Sequence, residues 1–185
     1  MGQGESDNVI GDRLLLVDGH AYAYRAFHAI RQLRSPDGKP TNAIFGFIRM
    51  LGKMMETLKP SHVAVVWDGG LAAERVSRHP SYKAQRPPMP SDLDSQMTGI
   101  VDYLDAARIP SLCRNGVEAD DWIAALALCA ARDGLNVVIA SSDKDFMQLV
   151  GPRVGLLKPN DKAESVWTDA NVRATTGVAP EQIVD

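Results

Sequence analysis

The sequence predicts an α/β fold, with a mostly parallel central sheet and helices on both of its faces. Three observations lead there. First, four short apolar runs each lead to acidic residues. Leu14-Leu15-Leu16-Val17 runs into Asp18, and Val63-Ala64-Val65-Val66-Trp67 into Asp68. Val137-Val138-Ile139-Ala140 runs through Ser141-Ser142 into Asp143 and Asp145, and Ile109 to Leu112 reaches Glu118, Asp120 and Asp121 after a turn. Second, the first three runs read as strands buried on both faces, whose C-terminal ends are where α/β folds place their sites. Third, segments of helical periodicity stand between the runs, and strands alternating with helices build parallel sheets.

Each element follows in order. Residues 1–12 read as a flexible polar tail and 13–185 as one core. Strand one covers about 13–18, and a helix from about 20 to 33 carries Tyr22, Tyr24, Arg25, Phe27 and His28. Ser35-Pro36-Asp37-Gly38-Lys39-Pro40 is a turn-rich loop. The next helix, about 41–58, sets Ile44, Phe47, Ile48, Leu51, Met55 and Leu58 on one face, its methionines serving as core filler. Strand two covers about 62–67. Residues 69–91 differ from the rest: Arg75, Arg78, Lys83 and Arg86 stand there against the single acid Glu74, and Arg86-Pro87-Pro88-Met89-Pro90 stiffens the exit as polyproline. A helix over about 92–107 precedes a short strand at about 109–113, and Glu118-Ala119-Asp120-Asp121 opens a helix to about Arg132. The fourth strand covers about 136–141, with a short helix from Lys144 to Val150 behind it. Residues 154–158 and 164–167 read as strands of a hairpin edge, and Asp169 caps one more helical turn.

The bulk numbers narrow the function classes. The 185 residues are 45% hydrophobic and 23% charged, enough to bury a substantial core. A net charge of -3 gives no global basic signal, so the local basic segment matters more than the total. Cys113 and Cys129 lie in different elements and read as small buried hydrophobes of a reducing, cytoplasmic protein, with no CxxC pair or Cys/His cluster for zinc. No apolar stretch is long enough to span a membrane, and the polar, acidic start is no secretory signal. Met1-Gly2-Gln3-Gly4-Glu5-Ser6 fits a myristoylation pattern, although short patterns recur by chance.

The acids carry the chemistry. Asp and Glu near a helix start also cap it, which is a plainer reading for Asp120 with Asp121 and for Asp143 with Asp145. Asp18 and Asp68 sit directly on apolar runs and are harder to explain so. Converging carboxylates repel one another unless a cation sits among them. Seven such acids on one sheet edge point to hard divalent metals, magnesium or manganese, and to metal-dependent hydrolysis of phosphate esters. Two cations about 3.5–4 Å apart activate the water and stabilise the leaving oxygen in such reactions.

With the acids placed, the surrounding motifs resemble a known family. Leu15-Leu16-Val17-Asp18-Gly19-His20, Tyr24-Arg25, Phe27-His28, Asp68, Tyr82-Lys83-Ala84-Gln85-Arg86-Pro87-Pro88-Met89-Pro90, Gly116-Val117-Glu118-Ala119-Asp120-Asp121 and Ser142-Asp143-Lys144-Asp145 stand in the family's order. They resemble the 5′-nuclease domain of bacterial DNA polymerase I, in the flap endonuclease superfamily with its PIN-like core. The resemblance implies a monomeric, magnesium- or manganese-dependent 5′-3′ exonuclease and flap endonuclease. Its implied substrate is DNA with 5′ flaps or ends, in bacterial replication and repair, at the nucleoid and alongside or fused to a polymerase. It matches Asp18, Asp68 and Asp120 to one metal and Asp143 and Asp145 to the other, with Glu118 and Asp121 between or behind them. It identifies residues 69–91 as the helical arch over the 5′ strand. There Arg75, Arg78, Tyr82, Lys83 and Arg86 bind substrate, and Lys83 and Arg86 assist catalysis beside Asp18, Asp68, Asp120 and Asp143. Independently of the family, cations beside such a site can neutralise phosphoryl charge, and a solvated basic loop is the alternative. Tyr24 matches an aromatic that stacks on a base, against the alternative of a half-buried core tyrosine. Arg25 contacts phosphate or pairs with a core acid.

Two departures qualify the match. Glu74 stands where relatives have an aromatic before the arginine matched by Arg75. The family's next segment supplies two more metal-binding aspartates and a helix-three-turn-helix that grips the duplex. The sequence to Asp185 holds neither, so a fragment or shortened relative with an incomplete second metal site is expected. The rival readings are a PIN-like ribonuclease, which lacks a basic arch, and a non-catalytic nucleic-acid-binding fragment. A haloacid-dehalogenase-type phosphatase needs an acid two residues after Asp18, where His20 stands. The four histidines form no catalytic constellation.

Overall fold

The computed structural model describes residues 12–70, 87–160, 162 and 165–183. Five parallel strands form one sheet: β1 (Arg13–Asp18), β2 (His62–Trp67), β3 (Ser111–Cys113), β4 (Asn136–Ala140) and β5 (Val154–Leu157), in the order β3-β2-β1-β4-β5. Alternation along each strand feeds two cores. Leu15, Val17, Val65, Trp67, Val138 and Ala140 face one way, and Leu16, Ala64, Val66, Val137 and Ile139 the other. The first core is closed by α1 (Gly19–Ala29), α2 (Asn42–Leu58) and α3 (Ser91–Ala106), and the second by α4 (Ala119–Arg132), a 3-10 helix (Lys144–Leu149) and α5 (Asp169–Thr176). A further 3-10 turn, Pro180–Gln182, follows. The predicted sheet with helices on both faces is therefore present. No helix among the described residues is long and apolar enough to cross a membrane.

Several predicted boundaries shift, each for a non-local reason. α1 stops at Ala29, not near 33, because Ile30 turns extended at φ -120 and ψ 102. The amide of Asn42 donates to the carbonyls of Phe27 (2.9 Å) and Ile30 (2.8 Å), taking acceptors that another helical turn would use. Asn42 is itself held by the buried Gln96, whose Nε2 donates to Asn42 Oδ1 at 3.0 Å and whose Oε1 accepts from Ala43 N at 2.8 Å. The inward face of α2 is turned slightly from expectation. Ala43, Phe47, Leu51, Met54 and Leu58 are buried, whereas Met55 is exposed. Contact with α1 sets this rotation, since Gly46 lies so close to Ala26 that a Cβ there would meet its Cβ at 2.9 Å.

β3 is shorter than predicted. Arg108 turns out of α3 at φ 57, and Pro110 has no N–H and offers only its carbonyl, to Val65 N at 2.9 Å. The expected hairpin at 164–167 reduces, among the described residues, to one antiparallel bridge between Leu156 and Trp167. Thr168, not Asp169, occupies the N-cap of α5, and Asp169 is its first residue. Both cysteines are exposed, contrary to the expectation of burial. Cys113 ends an edge strand, and Cys129 sits away from Ile123 and Ala127, which turn the inner face of α4 to the sheet. Most of the basic segment, 71–86, lies outside the described residues, and with it Arg75, Arg78, Tyr82, Lys83 and Arg86.

Candidate active site

Strand register brings the acids to one edge. Asp18 pairs with Val66 on one side, and Val17 pairs with Ala140 on the other. Asp68 therefore lies just past the end of β2, and Ser141 to Asp143 just past the end of β4. Trp67 pairs with Cys113, so the turn after β3 delivers Glu118, Asp120 and Asp121 to the same edge. This is the carboxyl edge where the chain leaves β1 for β2 on one side while β4 lies on the other, the usual place for a site in an open α/β sheet.

Two concavities adjoin there. One, of about 300 Å³, is lined by Asp18, His20, Tyr24, Asp68, Asp120 and Asp143, among others. The other, of about 200 Å³, is lined by Asp120, Asp121, Asp143 and Asp145 with Phe146 and Leu149. Asp120 and Asp143 belong to both. Glu118 is buried at the N-cap of α4, directly before these residues. Six of the seven predicted acids thus line one of the two hollows.

Each acid also has a local role. Asp18 caps α1, its Oδ1 accepting from Ala21 N at 3.0 Å, while its Oδ2 accepts from the Ser141 hydroxyl at 2.8 Å. Asp68 Oδ1 accepts from Gly70 N at 3.1 Å. Asp120 Oδ1 accepts from Asp121 N at 2.7 Å, and Asp143 Oδ1 from Asp145 N at 3.0 Å. Local hydrogen-bonding roles are thus present in these side chains, and the same carboxylates line the two hollows. Among the described residues no three acids, histidines or cysteines close into a ligand set by themselves. The donors are all hard oxygens in paired hollows, which suits hard divalent ions.

Two residues of this site are assigned no role from the sequence: Ser141 stands outside the motifs, and His20 ends the first of them. Ser141 is buried and bridges two acids: its hydroxyl donates to Asp18 and accepts from Asp143 N at 3.1 Å. His20 Nδ1 accepts from Asp68 N at 3.2 Å, and its ring meets Trp67 edge-on at 5.3 Å. That hydrogen bond makes Nδ1 the unprotonated nitrogen. Burial holds His20 below its ordinary pKa of 6.5, against the pull of Asp68 and Asp18. Burial likewise pushes the Asp18 carboxyl above 3.8, and Asp143 adds to the rise, while Ala21, Ser141 and His20 oppose it.

Asp68 is held against the later acids by a tight crossing. Gly69 N donates to Val117 O at 3.0 Å, and Gly116 N to Gly69 O at 2.9 Å. A Cβ on Gly69 would stand 1.9 Å from the Arg114 carbonyl oxygen, so the approach requires glycine. Tyr24 is half-buried at the mouth of the larger hollow and stacks on His28 at 6.3 Å. Arg25 is exposed and forms no ion pair among the described residues.

Comparison with known proteins identifies the family of the chain and agrees with its fold. The family model for the 5′-3′ exonuclease, N-terminal resolvase-like domain, matches residues 13–177. The chain is 38% identical over 175 residues to DNA polymerase I of Bacillus subtilis, covering 94% of this chain and 20% of the polymerase. It is 39% identical over 172 residues to a 5′-3′ exonuclease of Aquifex aeolicus, covering 93% of this chain and 59% of that protein. It thus spans a fifth to about three-fifths of these relatives. Among solved structures, T5 5′-exonuclease with divalent metal ions (zinc) bound shares the fold at a TM-score of 0.68 and 20% identity, over 92% of this chain and 63% of that one.

Proposed function

The chain belongs to the family of 5′-3′ exonuclease N-terminal, resolvase-like domains, and from that premise we propose that it is the catalytic core of a divalent-metal-dependent 5′-nuclease. It hydrolyses phosphodiesters of DNA bearing 5′ flaps or ends. The observation that carries this reading is the pair of adjoining acidic hollows sharing Asp120 and Asp143 at the carboxyl edge of the sheet.

Asp18, Asp68 and Asp120 would hold one magnesium or manganese ion. Asp143 and Asp145, with Asp121, would hold a second, and Glu118 would back both. Bound there, such ions supply a water of lowered pKa and charge stabilisation at the leaving oxygen. The chain's own residues do the rest. Ser141 fixes Asp18 and the backbone of Asp143 together, so carboxylates from β1 and β4 face one space. His20 fixes the backbone of Asp68 from the start of α1. Tyr24 offers a ring at the mouth of the hollow on which a nucleotide base can stack, and stacking tolerates any sequence. Arg25 offers an exposed guanidinium to the phosphate backbone. In the basic segment Lys83 and Arg86 neutralise charge at the scissile phosphate, while Arg75, Arg78 and Tyr82 hold the 5′ strand.

The Bacillus relative is a DNA polymerase I, and we place this core in the same replication and repair setting. It acts as a monomer on cytoplasmic, nucleoid DNA, with a polymerase in the same chain or beside it. Incubating the protein with a 5′-labelled flap substrate, with and without manganese, tests the reading. Metal-dependent cleavage that is lost in Asp143→Asn supports it. Preferential cleavage of single-stranded RNA would assign the chain to the PIN-like ribonucleases instead.

A further inference from the structure

A second concavity outside the acidic site has the opposite chemistry. It lies at the end of α1, with a volume of about 310 Å³, and is lined by Phe27, His28, Arg31, Arg34, Pro40 and Asp92, among others. We propose that this notch is a subsite for one backbone phosphate of the nucleic-acid substrate, with Arg31 as the principal contact and Arg34 as its partner. The proposal rests on the nuclease reading above and adds a site to it.

The notch is built on a fixed platform. Residues 33–41 close on themselves through Thr41 N to Leu33 O (2.9 Å), Ser35 N to Lys39 O (2.9 Å) and Gly38 N to Ser35 O (2.9 Å). The base is anchored by Asn42, which is buried at 5% exposure and also lines the notch. Its amide clasps the carbonyls of Phe27 in α1 and of Ile30 just past its end, and Gln96 ties it to α3. Ordered backbone under the cations lowers the cost of aligning them on a ligand.

The charges select an anion. Arg31 is exposed and forms no hydrogen bond or ion pair among the described residues. Arg34 donates from Nη1 to Gly38 O at 2.8 Å and from Nη2 to Asp92 Oδ2 at 3.2 Å. The Arg34–Asp92 pair is more than half exposed on both sides, so it holds the guanidinium in place only weakly. A phosphate entering the notch meets a guanidinium fork from Arg31 and the free edge of a second from Arg34, a geometry suited to bidentate contact.

Position ties the notch to the acidic site. Tyr24 lines the larger acidic hollow, His28 lines the notch, and the two rings stack with centroids 6.3 Å apart. That spacing is about two rises of a nucleic-acid strand, which carries a charge every ~3.4 Å. A strand whose base stacks at Tyr24 therefore reaches the notch within a few nucleotides of the scissile bond. Among the described residues Asp92 is the one acid lining the notch, and it repels the ligand that the arginines attract.

This arrangement makes an unusual demand: removing Asp92 must tighten binding. Anisotropy of a labelled 5′-flap DNA, titrated with the full chain without divalent metal over a series of salt concentrations, tests it. Arg31→Ala is expected to weaken binding and to flatten the salt slope by about one unit, the signature of one lost phosphate contact. Asp92→Asn is expected to tighten binding about two- to fivefold at low salt. Replacing single phosphates by neutral methylphosphonate should reveal one position that weakens wild type and has no effect on Arg31→Ala. Both residues are exposed, and an unchanged melting temperature confirms the fold. If wild type binds but neither variant alters affinity or slope, the notch is refuted and the nuclease reading stands. If wild type binds no DNA, the nuclease reading falls and the notch with it.

Discussion

The crossing at Gly69 gives a sharp test of how the acidic edge is held together. A Cβ added there meets the Arg114 carbonyl oxygen at 1.9 Å and its carbon at 2.5 Å. Ordinary contact lies near 3.5 Å, so the two backbones must part by about 1.5 Å. The bonds Gly69 N to Val117 O (3.0 Å) and Gly116 N to Gly69 O (2.9 Å) run across this gap, and neither survives such a separation. At about 0.5–1.5 kcal/mol each, Gly69→Ala is expected to cost about 1–3 kcal/mol. Asp68 precedes Gly69 and Glu118 follows Val117, so the same displacement separates the acids of β2 from those of α4. Urea denaturation should show the lost stability, and calorimetric titration with manganese should show weakened binding. Gly52→Ala is the control. Gly52 lies within α2, where an added Cβ meets nothing within 4 Å, and there alanine should stabilise by about 0.5–1 kcal/mol. Gly69→Ala with stability within about 0.5 kcal/mol of wild type and unchanged manganese affinity would refute the claim that this crossing positions the site.

Three further outcomes follow from the same geometry. Burial raises the folded pKa of Asp18, so the folded state binds the proton more tightly than the unfolded chain. The resulting destabilisation is absent below pH 3.8 and grows as pH rises through the raised value, so metal-free Asp18→Asn should melt above wild type at neutral pH, with the gap closing in acid. Added manganese should reverse that order by stabilising only the wild type, which differential scanning calorimetry reads directly. Ser141→Ala removes the donor to Asp18 and the acceptor of Asp143 N, and manganese affinity should fall about 10- to 100-fold in a calorimetric titration. Gln96→Leu leaves the buried Asn42 amide oxygen and two α2 N–H groups without their partner, and should cost about 1–3 kcal/mol in urea denaturation while the acids stay in place.

Much of the fold was legible because its signals are local. The apolar runs before Asp18, Asp68 and Asp143 mark three strands almost to the residue, since a strand buried on both faces must be apolar throughout and must end where a charge begins. The convergence of the acids followed from parallel topology, which sends every strand's end to one edge. The unreadable parts depend on partners far away in the chain. The end of α1 is set by Asn42, and the rotation of α2 by Ala26 against Gly46. Ser141 belongs to no motif and His20 ends one that gives it no role, because their contacts exist only once Asp18 and Asp68 lie beside them. The cysteines were misread as buried since small sulfur residues usually are, yet the edge position of β3 and the outer side of α4 leave both in solvent.

The bond between Asp18 and Ser141 joins residues 123 positions apart. On a ribosome adding about 5–20 residues per second, Asp18 emerges some 6–25 s before its partner. During that interval β1 and β2 can pair, but the space beside β1 that β4 will fill stays open, and the acids of β1 and β4 have no common hollow. If the proposed nuclease reading holds, a site assembled this way is incomplete in every chain that still lacks β4. β4 follows β1, β2 and β3 in the chain and precedes β5, so the shared hollow can close only after the first three strands have been made.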